Sequence, residues 1–357
     1  MATDLEVFLD TVNHRRPSRV LFSFGCVEDL EKRLRKHVGG DGDYGKHYGM
    51  FMHAPNGLRV PEDRPKLDFS KYWEGQTLPE GTVINEAGVA MVPSGFYHFW
   101  GYISPLRNAT SLKEIEDFPM DDPQTWDFSG CAEAVKKAHA QGKVVSGWAG
   151  HMYECAWQFR GYEPFLMDMI ERPAWAQCLL DRLAEHNLHR ATQFAKAGVD
   201  MITTGDDVAN QKSMMFQPSM WREMMHSRWA KTWDTIHRIN PKCQIWYHSD
   251  GNIIDIIPDL VDAGLNILNP LQPECLDIDK VYKDFGHILS FDGTIGTQST
   301  MPWGTPADVR ARVKEVIEKY GKNGGLIISP THVLEPEVPL ANIDALVAAV
   351  KEFGGNG

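Results

Sequence analysis

The sequence predicts an α/β protein, a single (β/α)8 barrel over residues 1–357 with an irregular N-terminal excursion. From residue 130 onward, short apolar runs alternate with helical segments, which is typical of a parallel sheet covered by helices. Six such runs follow residue 140, and runs at 20–25 and within 82–104 bring the strands to eight. No Gly-rich phosphate loop follows any run, which argues against a doubly wound open sheet.

The predicted elements follow in chain order. Helices are expected over 4–13 and 27–37, and residues 38–81, rich in Gly, Pro and charge, form the excursion. The stretch 82–104 is either a barrel strand or a hairpin. Further helices are predicted over 131–141, about 164–197 with a break near Pro173, about 218–239, 253–263, 306–320 and about 340–353, with a short one before 287. The strands between them are predicted at 143–149, 199–205, 243–249, 265–271, 287–292 and 325–329.

Composition excludes several classes of protein. A net charge of −12 argues against a nucleic-acid or anionic-membrane partner. No apolar run approaches the roughly 20 residues that span a bilayer, and the N-terminus lacks the apolar core of a secretory signal. The six cysteines form no CxxC pair, so we expect no zinc ribbon and no disulfide framework. A reducing, cytoplasmic location is therefore expected.

Polar side chains follow nearly every predicted strand. Active sites of (β/α)8 barrels lie at the carboxyl ends of the strands, so these positions are candidates for catalysis. Each one alone is also compatible with solvation or with capping of the next helix. The candidates are Trp148, His151, Tyr153, Glu154, Asp206, Asp207, His248, Asp250, Asn269, Gln272, Asp292 and His332.

The pair His248 and Asp250 is the sharpest local feature. Residues i and i+2 of a strand point to the same side, so both side chains are expected in the barrel mouth. His332, after a later strand, can reach the same space. Two imidazoles and one carboxylate with an open position suit catalytic Zn²⁺. Alternatively, Asp250 caps the following helix and His332 is a core histidine. Of the cysteines, only Cys155 lies near a candidate position, and it is a weak one.

Several segments resemble the uroporphyrinogen decarboxylase superfamily. They include Trp-Tyr-His-Ser-Asp-Gly-Asn at 246–252, Gly-Leu-Asn-Ile-Leu-Asn-Pro at 264–270 and Gly-Gly-Leu-Ile-Ile-Ser-Pro-Thr-His at 324–332. The likeness covers nearly the whole chain and keeps the family's order. It implies a single (β/α)8 barrel.

Two branches of this superfamily differ in chemistry. The decarboxylases carry an Arg-Gln-Ala-Gly-Arg motif after the first strand, whereas residues 24–29 here read Phe-Gly-Cys-Val-Glu-Asp. A polyanionic porphyrinogen would be repelled there. The other branch, the corrinoid-linked methyltransferases, binds zinc through a His-x-Cys pair and a later Cys. The resemblance implies that His248 matches the first ligand, while Asp250 and His332 replace the two thiolates.

This resemblance implies a zinc-dependent methyltransferase. A small methylated substrate, best a methoxylated aromatic, would give its methyl group to the Co(I) corrinoid of a partner protein, because the chain has no corrinoid-binding Asp-x-His-x-x-Gly segment. Harder ligands favour polarising an ether oxygen over activating a thiol. Relatives suggest a homodimer. A decarboxylase of a less anionic substrate, a metal-dependent hydrolase and a non-catalytic scaffold remain alternatives.

Roles for the other strand-end residues follow from this hypothesis. Glu154 and Asp207 are the predicted catalytic acids or orienting groups. An aromatic wall is expected from Trp148, Tyr153, Trp157 and Phe96, although ordinary core packing explains them equally well. The remaining predicted substrate-binding residues are Asp206, Gln272 and Asp292.

Overall fold

Seven parallel strands form the centre of the molecule. The computed structural model describes residues 2–95 and 99–355. The strands within these ranges are β1 Leu21–Phe22, β2 Val83–Ile84, β3 Ala90–Pro93, β4 Trp100–Ile103, β5 Ser146–Gly150, β6 Met201–Gly205, β7 Gln244–His248, β8 Ile267–Asn269, β9 Ser290–Asp292 and β10 Leu326–Ile328. The parallel sheet has the order β1-β10-β9-β8-β7-β6-β5, so neighbours along the chain are mostly neighbours in space.

Helices follow the parallel strands and cover the outside of the sheet. They are α1 Asp4–Val12, α2 Glu28–Val38, α3 Tyr44–Tyr48, α4 Ser70–Trp73, α5 Leu112–Glu116, α6 Cys131–Ala140, α7 Tyr153–Arg160, α8 Tyr162–Glu171, α9 Pro173–Ala197, α10 Pro218–Trp221, α11 Ser227–Ile239, α12 Ile257–Ala263, α13 Ile278–Phe285, α14 Thr300–Trp303, α15 Pro306–Tyr320 and α16 Leu340–Phe353. A π-helical turn over Arg222–His226 joins α10 to α11. None of the helices in the described ranges is both long and apolar enough to cross a bilayer.

Residues 51–54 lie between the two edges of the parallel sheet. The N–H of Phe51 donates to the Phe22 carbonyl at 2.8 Å, and the N–H of Ala54 donates to the Val144 carbonyl at 2.8 Å. Four residues reach only about 13 Å even when fully extended, so the edges beside β1 and β5 must curl toward each other. A curled parallel sheet with external helices is consistent with a TIM-like barrel.

None of the described residues within 82–104 joins the parallel sheet, so the barrel strand expected there is not formed and this prediction was wrong. Strands β2, β3 and β4 instead make a separate antiparallel sheet, with Val83 opposite Met91 and Met91 opposite Tyr102. Strands joined by such short connections pair antiparallel, because a parallel pair needs a crossover of a dozen or more residues. The hairpin alternative is therefore confirmed.

Most predicted helices are present with small changes of boundary. The helix predicted over about 164–197 begins slightly earlier, at Tyr162, after Gly161 (φ 100°) caps α7. The predicted break near Pro173 is present, because α9 begins there. Helix α15 has a capping box in which Thr305 and Asp308 satisfy each other's backbone N–H groups. Residues 38–81 contain only the short helices α3 and α4.

Strand β7 shows how the sheet divides its side chains. Tyr247 points outward and is fully buried against Trp229 and Trp233 of α11. Its neighbours Trp246 and His248 therefore point to the inside of the curled sheet, since side chains alternate along a strand. The strand thus fixes both an outer core and an inner functional surface.

Candidate functional site

A cavity of about 560 Å³ opens at the carboxyl ends of the parallel strands. A second chamber of about 430 Å³ continues from it into the sheet interior, and the two share several wall residues. The shared residues are Ser23, Phe51, His53, Trp148 and Trp246. The carboxyl ends of the strands therefore surround a deep cavity.

The orientation of His248 is set by a hydrogen bond behind its ring. Its Nδ1 lies 2.6 Å from Oδ1 of Asn269, the last residue of β8. An amide oxygen only accepts, so Nδ1 carries a proton, and in the neutral imidazole the lone pair is then on Nε2. Trp246 packs parallel to the imidazole, with ring centres 5.8 Å apart. Nε2 is thereby available as a ligand.

Two carboxylates converge on this nitrogen. His248 Nε2 lies 3.7 Å from Oδ1 of Asp207 and 3.9 Å from Oδ1 of Asp250. The backbone N–H of Asp250 donates to the same Asp207 oxygen at 2.8 Å, which holds the two acids together. The potential ligand atoms of these three residues all lie within 4.8 Å of one another.

The chemistry of this cluster fits a divalent metal ion. Asp250 Oδ1 is buried and accepts no hydrogen bond from the protein. Burial raises the pKa of Asp250 to about 6, although His248 lowers it. A buried carboxylate oxygen that accepts no hydrogen bond, close to an imidazole nitrogen, is a set of ligand atoms that a divalent cation would satisfy.

His332, which follows β10, approaches the ring of His248. Its ring centre is 6.3 Å from that of His248, and it lines the cavity. The structure therefore brings two of the three predicted metal ligands, His248 and Asp250, into one cluster. The third member of that cluster is Asp207, predicted as a catalytic acid, and His332 stands farther away.

A second cluster of ionisable groups joins β5 and β6. His151 Nδ1 lies 2.8 Å from Oε2 of Glu154 and 2.6 Å from the Gly205 carbonyl. Burial lowers the pKa of His151, but Glu154 outweighs it and raises the value to about 9. Burial raises and His151 lowers the pKa of Glu154, and its net shift is downward. This pair is therefore an imidazolium–carboxylate ion pair, and Glu154 lacks the proton of a general acid.

Asp206, next in this cluster, ties α7 to the sheet. Its carboxylate accepts the backbone N–H groups of Met152 and Glu154 at 2.8 and 3.1 Å, at the first turn of the helix. Burial raises its pKa to about 7. It is fully buried and does not line the cavity, so its observed contacts are those of a helix cap.

Two predicted substrate-binding residues face the cavities. Trp148 lines the cavity wall and is 41% exposed. Its ring packs edge-on against that of His151, with 4.7 Å between the ring centres. Asp292 lines the deeper chamber and accepts hydrogen bonds from the Trp246 indole N–H at 3.0 Å and the Ser329 hydroxyl at 2.5 Å.

Two others lie outside the cavity walls. Tyr153 is fully buried against Phe165 and Phe216. Gln272 accepts the N–H of Gly251 at 3.0 Å and so supports the turn that carries Asp250. Phe96 lies outside the described residues.

The wall residues that the sequence interpretation missed include Trp246, His53 and Ser329. The alternation along β7 places Trp246 on the same side as His248, so the reasoning that predicted Asp250 could also have predicted Trp246. His53 was not, because it comes from the irregular segment between the sheet edges. The Nδ1 atom of His53 lies 2.8 Å from the Ser146 hydroxyl oxygen.

Comparison with known proteins agrees with this fold. The chain is similar to two methylcobamide:CoM methyltransferases MtaA of Methanosarcina barkeri, with 27% and 26% identity over 190 residues, 53% of this chain and 52% of each relative. The chain thus matches about half the length of these curated relatives. It is 21% identical to a uroporphyrinogen decarboxylase of Chlorobaculum tepidum over 257 residues, 70% of either chain.

The fold is shared with a solved structure. A methyltransferase from Methanosarcina mazei superposes with a TM-score of 0.67 and 19% identity, over 99% of both chains. The family model described as uroporphyrinogen decarboxylase (URO-D) matches residues 103–353. Since this match covers most of the chain, including every strand of the parallel sheet after β1, the protein belongs to the uroporphyrinogen decarboxylase (URO-D) family, as its sequence motifs predicted.

Proposed function

We propose that this protein is a zinc-dependent methyltransferase. It moves a methyl group from a small methylated substrate to the Co(I) corrinoid of a partner protein, and a methoxylated aromatic is the best candidate for that substrate. The observation that carries the proposal is the cluster of Asp207, His248 and Asp250 at the mouth of an aromatic-walled cavity. The similarity to the MtaA methyltransferases supports the reaction class.

The metal would be held by His248 Nε2 and by the carboxylates of Asp250 and Asp207, and the ring centre of His332 is 6.3 Å from that of His248. Bound there, Zn²⁺ would supply a Lewis acid for the oxygen that loses the methyl group. Asn269 favours the neutral tautomer with its lone pair on Nε2, and the N–H of Asp250 keeps Asp207 turned toward the imidazole.

The remaining residues bind the substrate and handle its proton. Trp148 and Trp246 offer flat faces to an aromatic ring in the cavity. His151, held protonated by Glu154, lines the same cavity and is a source of the proton that the departing oxygen requires. The C–O bond breaks as the Co(I) electron pair takes the methyl group, so no external oxidant or reductant is needed.

The corrinoid comes from outside this chain in the proposed reaction. The described residues and the printed sequence contain no Asp-x-His-x-x-Gly segment that would bind it. A homodimer and a cytoplasmic location stay predictions of the sequence.

Metal analysis combined with a methyl-transfer assay tests the proposal. We expect about one zinc per chain and, with a methoxylated aromatic, conversion of the cob(I)alamin spectrum to that of methylcobalamin. His248→Ala and Asp250→Ala should lose both metal and activity, whereas His287→Ala, an exposed histidine, should lose neither. Full metal content in both cluster variants, or release of CO₂ from a carboxylated substrate without methyl transfer, would contradict the proposal.

A further inference from the structure

His53 is a wall residue of both chambers that has no part in the proposed metal site. It lies on segment 51–54, whose backbone is held between the sheet edges by the N–H groups of Phe51 and Ala54. Its ring packs edge-on against that of Phe51, with 5.0 Å between the ring centres. Both side chains line the outer cavity and the deeper chamber. The segment that joins the two sheet edges therefore also brings a polar ring to the cavity.

The two ring nitrogens of His53 have different surroundings. Nδ1 lies 2.8 Å from the Ser146 hydroxyl oxygen. Among the described residues, Nε2 has no hydrogen-bond partner and no carboxylate forms an ion pair with the ring. Loss of solvation lowers the pKa of His53 to about 4, so the imidazole is neutral near pH 7. Nε2 is therefore a free hydrogen-bonding atom of an uncharged ring.

A neutral imidazole that is paired with a hydroxyl group adjusts to its ligand. When the Ser146 hydroxyl donates to Nδ1, the proton of the His53 ring is on Nε2, which then donates. When Nδ1 donates to the hydroxyl oxygen instead, Nε2 accepts. The contact at 2.8 Å is compatible with both arrangements. His53 can therefore bind either a hydroxyl group or a carbonyl oxygen.

Other polar groups of the deeper chamber are already engaged by the protein. The Thr203 hydroxyl donates to a backbone carbonyl of β5 at 3.3 Å. The carboxylate of Asp292 accepts from the Trp246 indole N–H at 3.0 Å and from the Ser329 hydroxyl at 2.5 Å. A polar substituent that enters this chamber would have to break such contacts, whereas Nε2 of His53 is open to it.

His53 and the proposed metal site belong to different parts of the wall. His248 is on β7, which β6 separates from β5, whereas segment 51–54 lies beside β5. Among the described residues, His248 lines the outer cavity and His53 lines both chambers. Trp148 and Trp246 line both chambers as well. A flat ring that packs along these indoles would reach from the outer cavity to the chamber of His53.

We propose that His53 is a specificity-determining residue, which binds a neutral hydrogen-bonding substituent on the ring of the substrate. The substrate class is a methoxylated aromatic whose ring carries a second, neutral polar group, and Nε2 of His53 donates to or accepts from that group. The proposal rests on the proposed methyl-transfer function, because that function places the methoxy group at the cluster of Asp207, His248 and Asp250.

Binding measurements without turnover test the role of His53. Isothermal titration calorimetry at about pH 8 gives the Kd of the protein as purified for 4-methoxyphenol and for 4-methoxytoluene. The two ligands are similar in size and differ in one hydroxyl group, which the second replaces by a methyl group. The ratio of the two Kd values therefore measures the preference for the hydroxyl group.

Two variants remove the hydrogen-bonding atoms of His53 with different side-chain shapes. In His53→Phe and His53→Leu, the preference for 4-methoxyphenol should fall about three- to tenfold, which corresponds to the loss of one net hydrogen bond. His47→Phe, at an exposed histidine of the nearby helix α3, should keep the wild-type preference.

Either His53 variant decides the question if the other does not fold. An unchanged preference in a variant with a wild-type circular dichroism spectrum would overturn the proposal. Ser23 lines both chambers too, and its hydroxyl is the rival contact. A fall that occurs in Ser23→Ala and not in the His53 variants would assign the preference to Ser23 and would also overturn the proposal.

Failure of the proposed function gives a different result. A reduced preference in the His53 variants, together with no methyl transfer to cob(I)alamin from any methoxylated aromatic that binds, would support the role of His53 and contradict the methyltransferase. Methyl transfer from 4-methoxyphenol, together with an unchanged preference in the His53 variants, would support the methyltransferase and overturn the role of His53.

Discussion

At the residue scale, the contact between His248 and Asn269 decides which imidazole nitrogen faces the carboxylates. The amide oxygen accepts the proton of Nδ1, and the parallel indole of Trp246 packs against the imidazole ring. Partners of this kind fix the tautomer and the direction of a ligating histidine. Asn269 is thus a positioning residue for the proposed metal site of Asp207, His248 and Asp250.

Removing this contact should weaken metal binding. We expect Asn269→Ala to lower the zinc affinity by about 10–100-fold, since loss of a partner behind a histidine ligand has effects of this size. Competition with a chelator measures the change. Asn240→Ala removes a comparable hydrogen bond at the other end of β7, to the Val199 carbonyl, and should leave the zinc affinity intact. Unchanged affinity in Asn269→Ala would contradict the assignment.

A second prediction at this scale concerns a buried ion pair. Asp168 is fully buried and binds Arg160 at 2.6 Å and Arg172 at 2.8 Å. Asp168→Ala leaves the buried Arg160 without its counter-charge, so we expect the free energy of unfolding to fall by roughly 3–5 kcal/mol. Urea denaturation measures it. Asp181→Ala, at an exposed carboxylate that pairs with Arg228, should cost less than about 1 kcal/mol.

At the element scale, the packing of α11 against β7 supports the site from outside. The rings of Trp229 and Trp233 stack at 5.7 Å, and both meet the edge of Tyr247. Since Tyr247 stands between Trp246 and His248 on the strand, this outer contact fixes the direction of both inner side chains.

Truncation of this contact should destabilise the protein. We expect Trp233→Ala, at a fully buried position, to lower the free energy of unfolding by about 3–5 kcal/mol because it leaves a large cavity. Chemical denaturation followed by circular dichroism gives the value. Trp303→Ala, at a ring that is 72% exposed, is the matched control and should change it little. Equal losses in the two variants would contradict the packing role.

At the scale of the whole molecule, stability should depend on the charge of His151. Its pKa of about 9 in the folded state lies above its ordinary value of 6.5, so the folded protein binds this proton more tightly than the unfolded chain does. The resulting stabilisation is complete below pH 6.5 and disappears as the pH rises through 9.

Unfolding measurements on metal-free protein check this dependence. Between about pH 6 and pH 9.5, the wild type should lose more unfolding free energy than His151→Gln, because the variant lacks the titrating group. His287→Gln, at an exposed site, should follow the wild type. Parallel losses in wild type and His151→Gln would show that the ion pair with Glu154 contributes nothing.

Regular elements were the most predictable part of the fold. Helices over 306–320 and 340–353, and all six strands after residue 140, were predicted because apolar periodicity decides them locally. The segment 51–54 was not, since its role depends on the distance between two sheet edges. The stretch 82–104 was ambiguous because alternation alone does not separate a barrel strand from a hairpin.

The candidate site was partly predictable for a similar reason. Strand-end positions named His248 and Asp250, and the structure places them together. Asp207 was expected as an acid, but its place beside His248 depends on a hydrogen bond from the Asp250 backbone. No pattern in the sequence encodes that contact. The separation of His332 likewise depends on how far the strands stand apart across the mouth.

The adjacent acids Asp206 and Asp207 have a mechanical consequence. The first is fastened to the N-terminal turn of α7 through two backbone N–H groups, and the second is fastened to Asp250. One peptide unit therefore links the helix that carries Glu154 to the cluster of Asp207, His248 and Asp250. A substrate that displaces α7 as it binds beside His151 would also displace the carboxylate of Asp207, so we expect occupancy of the cavity to change the geometry of that cluster.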